Sequence, residues 1–484
     1  MKRKWLITFS IILLILSCSD QRAILKGRRE ETDDVRQIIL LYTNDEHGWM
    51  EGTEGFGGAA EMMGVWQQKE GYSSDGPFLI LSGGDNWTGP AISTAFKGES
   101  MVDVMNAMEY TATAIGNHEF DFKVAGLKER ISQANFLFLS ANIREKQTGD
   151  LADFAQPYVI KEVNGIKVGL IGLTTTSTPV TTFPDNVADY DFIPYKTALE
   201  EVVPKVKNDG AELLVVIGHI CHTEMTELLP VATRLGISVI GGGHCNELIG
   251  VVRDGVAIIE GGAFMRNYAK VKIAFDTVAH RVVNMEPTTH DNVGGTPVPN
   301  IAAVVSNWKS RVDAEFSQVI GYVNQAVEQR SNAMFNMITD SWLISFPTAD
   351  VSLTNRGGIR QTIPGGNITS ATLLGVLPFD NFLLELDLTG AQLVEDIGNL
   401  VIGGMTSIGG HRLSDGTPIH PDSTYRVLTT DFLYSLPTLN FKLHDSEPVE
   451  LSINYRQPVI DWIKSLNTSQ ENPLDKYLEH ESRR

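Results

Sequence analysis

The sequence predicts an α/β protein that is divided into two or three domains. The chain has 484 residues, which is too long for a single hydrophobic core. Between residues 37 and 290, β-branched runs alternate with helical stretches, as in VVPKVKNDGAELLVVIGHI, and this alternation is typical of a mixed sheet covered by helices. Five of the apolar runs are followed directly by a polar motif, and polar residues at the carboxyl ends of strands commonly form the binding sites of α/β sheets.

The five polar motifs are short and rich in Asp, Asn and His. In chain order they are NDEH (44–47), GGDN (83–86), GNHEFD (116–121), GHICH (218–222) and GGHCN (242–246). They follow the runs IILLYT, FLILS, ATAI, LLVVI and ISVI. One such motif carries little information, because a histidine near a strand end is usually structural and GGD is common in turns. Five of them in a fixed order predict one shared site.

The side chains in these motifs predict a site for two divalent metal ions. Carboxylates, imidazoles and carboxamides together suit Zn, Mn, Co, Fe or Mg, and the absence of a thiolate cluster argues against a purely structural zinc. The ligands predicted for one metal are Asp45, His47, Asp85 and Asn246, and those for the other are Asp85, Asn117, His219 and His244. A carboxylate can bridge two metals, and Asp85 is the member that both sets share.

The charge of such a site predicts what it binds. Two divalent ions carry more positive charge than two aspartates neutralise, so the site favours a hydroxide and a phosphate oxyanion. His118 lies next to a predicted ligand, and we expect it to hydrogen-bond the developing charge or to protonate the leaving group. Asp121, three residues further on, is expected to orient that imidazole. The formal net charge of −20 argues against a nucleic-acid polymer as partner.

The chain after residue 290 predicts a linker and a second domain. The segment GGTPVPN (294–300) predicts a loop, and apolar residues at helical spacing from Ile301 to Phe316 predict a linker helix. The strands predicted beyond it include ADVSLT (349–354) and FLLELDL (382–388). The predicted boundaries are 37–293 for the first domain, 294–317 for the linker and 318–484 for the second domain.

The second domain carries motifs suited to binding an organic phosphate. In TNRGGIR (354–360), the glycines allow a ligand to approach closely, and Arg360 can bind an anion through its planar guanidinium. VLPFDN (376–381) and TTDFLY (429–434) place Phe379 and Phe432 beside polar residues. Two aromatic faces can hold a nucleobase between them, a contact worth about 1–3 kcal/mol per base. Taken singly, each phenylalanine is more typical of a core residue.

The order DxH, GGD, GNHE, GH, GGH resembles that of calcineurin-like metallophosphoesterases. GNHEFD together with the C-terminal motifs resembles the 5′-nucleotidase family, which includes periplasmic UDP-sugar hydrolases and 2′,3′-cyclic phosphodiesterases. The resemblance covers residues 37–470. It implies an N-terminal four-layered α/β/β/α metallophosphoesterase domain, a linker helix and a C-terminal mixed α/β substrate-binding domain.

The resemblance also implies a reaction and the residues that perform it. The reaction is hydrolysis of nucleoside 5′-monophosphates or related nucleotides through attack of a metal-activated hydroxide on phosphorus, with no obligate protein partner indicated. The seven metal ligands and the catalytic pair His118 and Asp121 match the family's positions. Asn355 is expected to contact the base. Arg330, in RSNAMFNMITDSW, and Arg360 are expected to bind phosphate or groups that flank the base. The implied substrate residues are Arg330, Asn355, Arg360, Phe379, Asn381 and Phe432.

Two departures from the family's pattern leave the substrate open. A GGDGY motif whose Asp holds the ribose hydroxyls is replaced by YSLPTLNF, with Thr438 near the position of that Asp, and Phe335 replaces a glycine of the NLGN segment. Neither change affects a predicted ligand. The alternatives are therefore the same fold acting on a non-nucleotide phosphate or sulfur ester, and a catalytically silent surface-binding lipoprotein.

The N-terminus predicts a bacterial lipoprotein. Three basic residues precede an apolar stretch from Trp5 to Leu16, which is short for a membrane span and typical of a secretory signal. The sequence Ile15 to Cys18 resembles a lipobox, so we expect residues 1–18 to be the signal region and Cys18 to be acylated, with residues 19–36 as a tether. The predicted location is the periplasm or cell surface, anchored to a membrane by lipid. The alternative is a bare signal peptide that happens to contain a cysteine.

Two further cysteines lie beside predicted ligands. Cys221 follows His219 by two residues, and Cys245 lies between His244 and Asn246. Three interpretations stay open: small buried thiols, a disulfide that braces the two ligand loops, and a thiol that alters the choice of metal.

Overall fold

The computed structural model describes residues 34–484, and the first domain within them contains two six-stranded sheets. Its strands are β1 Val35–Thr43, β2 Phe78–Ser82, β3 Ala112–Ala114, β4 Leu137–Leu139, β5 Ile143–Glu145, β6 Tyr158–Val163, β7 Ile166–Leu173, β8 Tyr190–Phe192, β9 Leu213–Gly218, β10 Val239–Gly241, β11 Leu248–Arg253, β12 Val256–Gly261, β13 Asn267–Asp276 and β14 Arg281–Asp291. The first sheet has the order β14-β13-β1-β2-β3-β4 and the second the order β11-β12-β10-β9-β7-β6. In both sheets the central strands are parallel and at least one edge is antiparallel.

The longer helices of the first domain cover the outer face of each sheet. The helices of this domain are α1 Ala59–Val65, α2 Ala91–Thr94, α3 Glu99–Ala107, α4 Lys123–Gln133, α5 Thr178–Thr181, α6 Tyr195–Asn208 and α7 His222–Leu235. Side chains alternate along β1 as a strand requires: Leu40 and Tyr42 pack between the two sheets, and Leu41 packs against the helices. The second sheet packs on α6 and α7 in the same way. The resulting order of helix, sheet, sheet and helix confirms the four-layered prediction.

The linker contains one long helix that is attached to the first domain. This helix, α8, spans Pro299–Phe316. It begins two residues before the predicted start because proline is well suited to the first turn of a helix. Trp308 is buried, and its indole N–H donates to Asp103 Oδ2 at 3.1 Å. Arg311 lies over the same indole ring, 3.9 Å from its centroid.

The C-terminal domain is built around a five-stranded sheet. Its strands and helices are β15 Val319–Val323, α9 Asn332–Ser345, β16 Val351–Thr354, β17 Gly366–Thr369, α10 Ser370–Val376, β18 Phe382–Thr389, α11 Gly390–Asp396, β19 Val401–Gly403, β20 Met405–Thr406, β21 Arg412–Leu413, β22 Thr424–Thr430, α12 Asp431–Ser435, α13 Phe441–His444, β23 Val449–Asn454 and α14 Gln457–Ser465. The sheet order is β19-β16-β22-β18-β23. A separate apolar core lies on each face: Leu383 and Leu428 belong to one, and Leu353 and Leu386 to the other.

Some predictions concern residues that the structure does not describe. The predicted signal region, the predicted acylation site Cys18 and nearly all of the predicted tether lie outside the described residues. Among residues 34–484, no helix has both the length and the apolar character that crossing a bilayer requires. The exact domain boundaries stay predictions.

Candidate active site

The five motifs meet at one edge of the first domain, where the carboxyl ends of strands from both sheets lie side by side. Asp45 follows β1, Asp85 follows β2, and His219 follows β9. Contacts run between the sheets: His219 Nδ1 lies 2.8 Å from the carbonyl oxygen of Gly83, and the His244 N–H donates to Asp45 Oδ2 at 2.9 Å. Both sheets are therefore needed to form the site.

Four side-chain atoms converge on one side of Asp85. His219 Nε2 lies 3.0 Å from Asp85 Oδ2, 3.1 Å from Asn117 Oδ1 and 3.2 Å from His244 Nδ1. The Asn117 amide N–H donates to the carbonyl oxygen of Thr181 at 3.2 Å, which turns the amide oxygen toward the other three atoms. These four residues are the ones predicted as the ligands of one metal.

A second group lies on the other side of the same carboxylate. His47 Nε2 lies 3.8 Å from Asp45 Oδ1 and 3.9 Å from Asp85 Oδ2. Asp45, His47 and Asp85 offer ligand atoms within 4.8 Å of one another. Asn246, predicted as the fourth member, lines the adjacent cavity on an exposed loop. Asp85 thus belongs to both groups.

The donor set fits a cation. Asp45 Oδ2 accepts from the Asn44 amide at 2.7 Å, whereas Asp45 Oδ1 is buried and has no hydrogen-bond partner in the described part of the chain. Burial lowers the pKa of His219, but the carboxylates of Asp85 and Asp45 outweigh this effect and raise the pKa to about 10. The buried carboxylates therefore favour positive charge beside the His219 imidazole, which is where a bound cation would lie.

The backbone at these positions is unusual. Five of the seven predicted ligands have a positive φ, although none is glycine: Asp45 at 51°, His47 at 45°, Asp85 at 57°, His244 at 75° and Asn246 at 58°. A left-handed conformation costs a residue with a side chain about 1–2 kcal/mol. Such strain is concentrated at functional sites, where the surrounding structure holds it in place.

Buried carboxyl groups beneath the ligands hold their loops, and sequence reasoning missed these groups. Glu119 Oε2 accepts from the N–H of Asp85 at 2.9 Å and of Gly116 at 2.6 Å, and Glu119 Oε1 accepts from the N–H of Asn86 at 2.8 Å. Burial and, to a lesser degree, the nearby Asp85 raise the pKa of Glu119 to about 7. Glu119 therefore joins the loop of Asp85 to the loop of Asn117. The signal was present in the sequence, because Glu119 belongs to GNHEFD.

His118 and Asp121 form a hydrogen-bonded pair beside the ligands. His118 Nδ1 lies 2.8 Å from Asp121 Oδ2. Burial lowers the pKa of His118, but Asp121 and Asp85 outweigh it and raise the pKa above its usual value. Thr182 donates to the other oxygen of Asp121 at 3.0 Å. No sequence signal pointed to Thr182, which lies in a different loop.

A cavity of about 690 Å³ separates these groups from the C-terminal domain. Arg360 reaches across it, and its guanidinium Nη2 lies 3.0 Å from His47 Nε2. Phe379 is stacked on His118 with ring centroids 5.8 Å apart, and Phe432 faces Phe183 at 6.5 Å. The predicted substrate residues that line the cavity are Asn355, Arg360, Phe379, Asn381 and Phe432.

Arg330 is the exception among the predicted substrate residues. It is exposed and does not line this cavity. The side chain of the next residue, Ser331, accepts from the Met334 N–H and caps α9, so Arg330 lies on the exposed turn before the helix. Thr438 does line the cavity, between Leu436 and Leu439.

The two cysteines beside the ligands form a disulfide. Cys221 and Cys245 are bonded, with Cα atoms 5.3 Å apart. The structure thus corrects the interpretations in which these residues are free thiols. The disulfide interpretation is therefore correct, and the bond joins the loop of His219 to the loop of His244.

Known proteins resemble this chain in sequence and fold. Residues 312–407 match the family model described as the 5′-nucleotidase, C-terminal domain. The cell wall protein Lmo0130 of Listeria monocytogenes is 24% identical, over 83% of this chain and 63% of that protein, so this chain spans less than two thirds of that relative. The human 5′-nucleotidase is 28% identical, over 74% of this chain and 70% of that protein.

A solved structure extends the likeness to the whole fold. The crystal structure of a 5′-nucleotidase precursor from Thermus thermophilus superposes with a TM-score of 0.79 at 22% identity, covering 93% of this chain and 99% of that one. These findings confirm the predicted relationship to 5′-nucleotidases and the two-domain α/β fold.

We expect Glu119→Gln to weaken the binding of divalent cations. The amide group has one acceptor oxygen instead of two, so it cannot accept from all three N–H groups, and its NH2 group places a donor against a backbone N–H. Substitution of such a supporting residue typically costs about tenfold to a hundredfold in metal affinity. Titration of the metal-free protein with Mn²⁺ measures the loss, and the exposed Glu162→Gln is the matched control. An unchanged affinity in Glu119→Gln would show that the two loops do not depend on this carboxylate.

Proposed function

We propose that this chain is a two-metal phosphohydrolase of nucleoside 5′-monophosphates or related nucleotides. It carries a 5′-nucleotidase C-terminal domain and is related over most of its length to 5′-nucleotidases. Its homologues support a phosphoester hydrolase. The observation that carries the proposal is the pair of ligand groups that share Asp85 and open into one cavity with Arg360 and His118. UDP-sugars and 2′,3′-cyclic nucleotides belong to the same substrate class.

Two ligand sets fit two divalent ions. One would be held by Asp45, His47, Asp85 and Asn246, and the other by Asp85, Asn117, His219 and His244. When bound, the ions supply a nucleophile from water at neutral pH and neutralise charge on the phosphoryl oxygens.

The chain's own residues orient the phosphoryl group and handle its charge. Arg360 lies beside His47, where its guanidinium binds phosphoryl oxygens through two parallel N–H groups. His118 Nδ1 is engaged by Asp121, so Nε2 is the nitrogen available to the cavity. From there it donates to the oxygen on which charge develops, or gives its proton to the leaving group. Thr182 and His118 bind different oxygens of Asp121, which restricts the imidazole to this orientation.

The C-terminal domain binds the leaving group. Phe379 and Phe432 are partly buried and line the cavity, and their faces suit stacking with a nucleobase. Asn355 and Asn381 supply polar groups beside them. A second candidate substrate is a non-nucleotide phosphate ester. It is favoured by the apolar wall around Thr438, where a carboxylate for ribose hydroxyls is expected by resemblance.

The protein acts outside the cytoplasm, held at a membrane by lipid on Cys18. The lipobox-like Ile15 to Cys18 and the basic start of the chain support this location. The likeness to a cell wall protein also supports an extracytoplasmic site of action.

A hydrolysis panel with Asp85→Asn as the paired variant tests the function. The panel contains nucleoside monophosphates, UDP-glucose, 2′,3′-cyclic nucleotides, sugar phosphates and p-nitrophenyl phosphate, each with Mn, Co, Zn or Mg. We expect nucleotides to be hydrolysed best. We expect Asp85→Asn to abolish turnover because the charged ligand shared by both metal sites is lost, and its circular dichroism spectrum should match that of the wild type because the fold is kept. Near-wild-type turnover in Asp85→Asn would contradict the two-metal site. Hydrolysis of sugar phosphates alone would favour the second candidate.

We expect His118→Ala to lower kcat by about 10²–10⁴-fold, the usual contribution of general acid–base catalysis. Metal content, measured by elemental analysis of the same preparation, should stay at the wild-type level because the ligands are untouched. Loss of metal together with activity would make His118 a ligand rather than a proton donor.

The Thr182 hydroxyl is expected to act through Asp121. Thr182→Val keeps the shape of the side chain but removes the donor, and we expect kcat to fall about tenfold with KM nearly unchanged, since an outer hydrogen-bond partner is lost. Thr182→Ser keeps the hydroxyl and should restore most of the rate. Equal rates in the valine and serine variants would assign Thr182 a packing role only.

A further inference from the structure

The Cys221–Cys245 disulfide joins the two loops that carry the histidines of one ligand group. Cys221 lies two residues after His219 and is the N-cap residue of α7, where its N–H donates to Glu224 Oε2 at 2.9 Å. Cys245 directly follows His244, whose Nδ1 lies 3.2 Å from His219 Nε2. The covalent bond thus connects two ligands that must stay at a fixed separation to bind one ion.

The two joined loops differ in how firmly they are held. The first ends in a helix of 14 residues. The second has a left-handed residue on each side of Cys245, His244 at φ 75° and Asn246 at φ 58°, and residues 245–248 are exposed. The loop is held at its two ends, where the His244 N–H donates to Asp45 Oδ2 and the Glu247 N–H donates to Glu260 Oε1 at 2.8 Å, while Cys245 and Asn246 between them are exposed. The disulfide attaches it to the firmly held N-terminus of α7.

We propose that the disulfide is a positioning element that sets the affinity for the metal ion held by Asp85, Asn117, His219 and His244, a role that rests on the metal site of the proposed function. Breaking the bond frees the loop of His244 to leave its left-handed conformation. The same movement displaces Asn246, the ligand predicted for the neighbouring ion. Cation affinity therefore falls when the bond is broken, even though every ligand side chain remains.

A purely structural role gives a different result. Neighbouring parallel strands β9 and β10 already bring the two loops together, and the Gly243 N–H donates to the carbonyl oxygen of Ile220 at 3.0 Å. If these contacts were sufficient, loss of the disulfide would lower only the resistance to unfolding. The affinity of the folded protein for a cation distinguishes the two roles.

The experiment measures Mn²⁺ binding to the metal-free full chain, because Mn²⁺ prefers oxygen and nitrogen ligands to thiols. The oxidised wild type is compared with Cys221→Ser/Cys245→Ser, which has neither the bond nor the thiols. Val203→Ala is the control for stability, since Val203 is buried against the second sheet away from every ligand. Free Mn²⁺ is followed by electron paramagnetic resonance, and thermal unfolding is recorded for each metal-free protein.

A second arm breaks the bond without a substitution. A phosphine reductant converts the disulfide to two thiols and becomes the phosphine oxide with an oxygen from water, and the exposure of Cys245 gives it access. This arm tests the role even if the serine variant fails to fold. Circular dichroism before and after reduction checks that the protein stays folded.

We expect Mn²⁺ affinity to fall about tenfold to a hundredfold in the serine variant and in the reduced protein, the range typical of a lost supporting interaction. Val203→Ala should bind Mn²⁺ like the wild type. Equal affinity of the oxidised and reduced proteins would overturn the positioning role. Absence of Mn²⁺ binding in the oxidised wild type would instead contradict the proposed function.

Discussion

The buried carboxylate of Asp85 is the group on which the rest of the site depends. It lies between the imidazoles of His47 and His219 and belongs to both ligand groups. Burial opposes its charge, but the adjacent His219 and His118 outweigh burial and hold its pKa well below the usual value. An ionised carboxylate in this position is stable only with positive charge close to it. A site for cations is the direct consequence of that requirement.

The same requirement explains the unusual backbone around Asp85. Ligand atoms from several strand ends must approach within a few ångströms, which regular strand or helix geometry does not provide. Left-handed residues turn the chain at these points, and supporting groups hold them there. Glu119 accepts from backbone N–H groups of two loops, and the disulfide joins two others. The two sheets determine where the loops begin, and these local restraints determine the positions of the ligand atoms.

In the proposed function, chemistry and selectivity come from different domains. The ligand groups and the His118–Asp121 pair belong to the first domain, whereas Arg360 and the two phenylalanines come from the second. Arg360 lies 3.0 Å from His47 and Phe379 stacks on His118, whereas Phe432 lies against Phe183, so residues on the Phe432 side of the cavity can change without disturbing the ligands. The apolar surroundings of Thr438 beside an intact ligand set illustrate this independence.

Much of the site was predictable from sequence because strand ends are local features. A polar motif after an apolar run places its side chains at a sheet edge, whatever the rest of the chain does, so the residues of both ligand groups could be named in advance. The aromatic pair was less certain, since an isolated phenylalanine is compatible with a core or a cavity. Glu119 was visible in its motif, but its acceptor role depends on backbone N–H groups from another loop.

The class of fold, the residue types offered to a cation and the presence of a second domain could be read from the amino-acid sequence alone, because periodicity and strand-end chemistry are encoded in neighbouring residues. Three features become visible only in the folded chain: Thr182 donates to Asp121, Arg330 lies away from the cavity, and Cys221 is bonded to Cys245. Those outcomes depend on how distant segments pack: Thr182 and Asp121 are 61 residues apart, and the cysteines 24. No local pattern specifies such distances, since they are set by the packing of the sheets and by the loops that cross their edge.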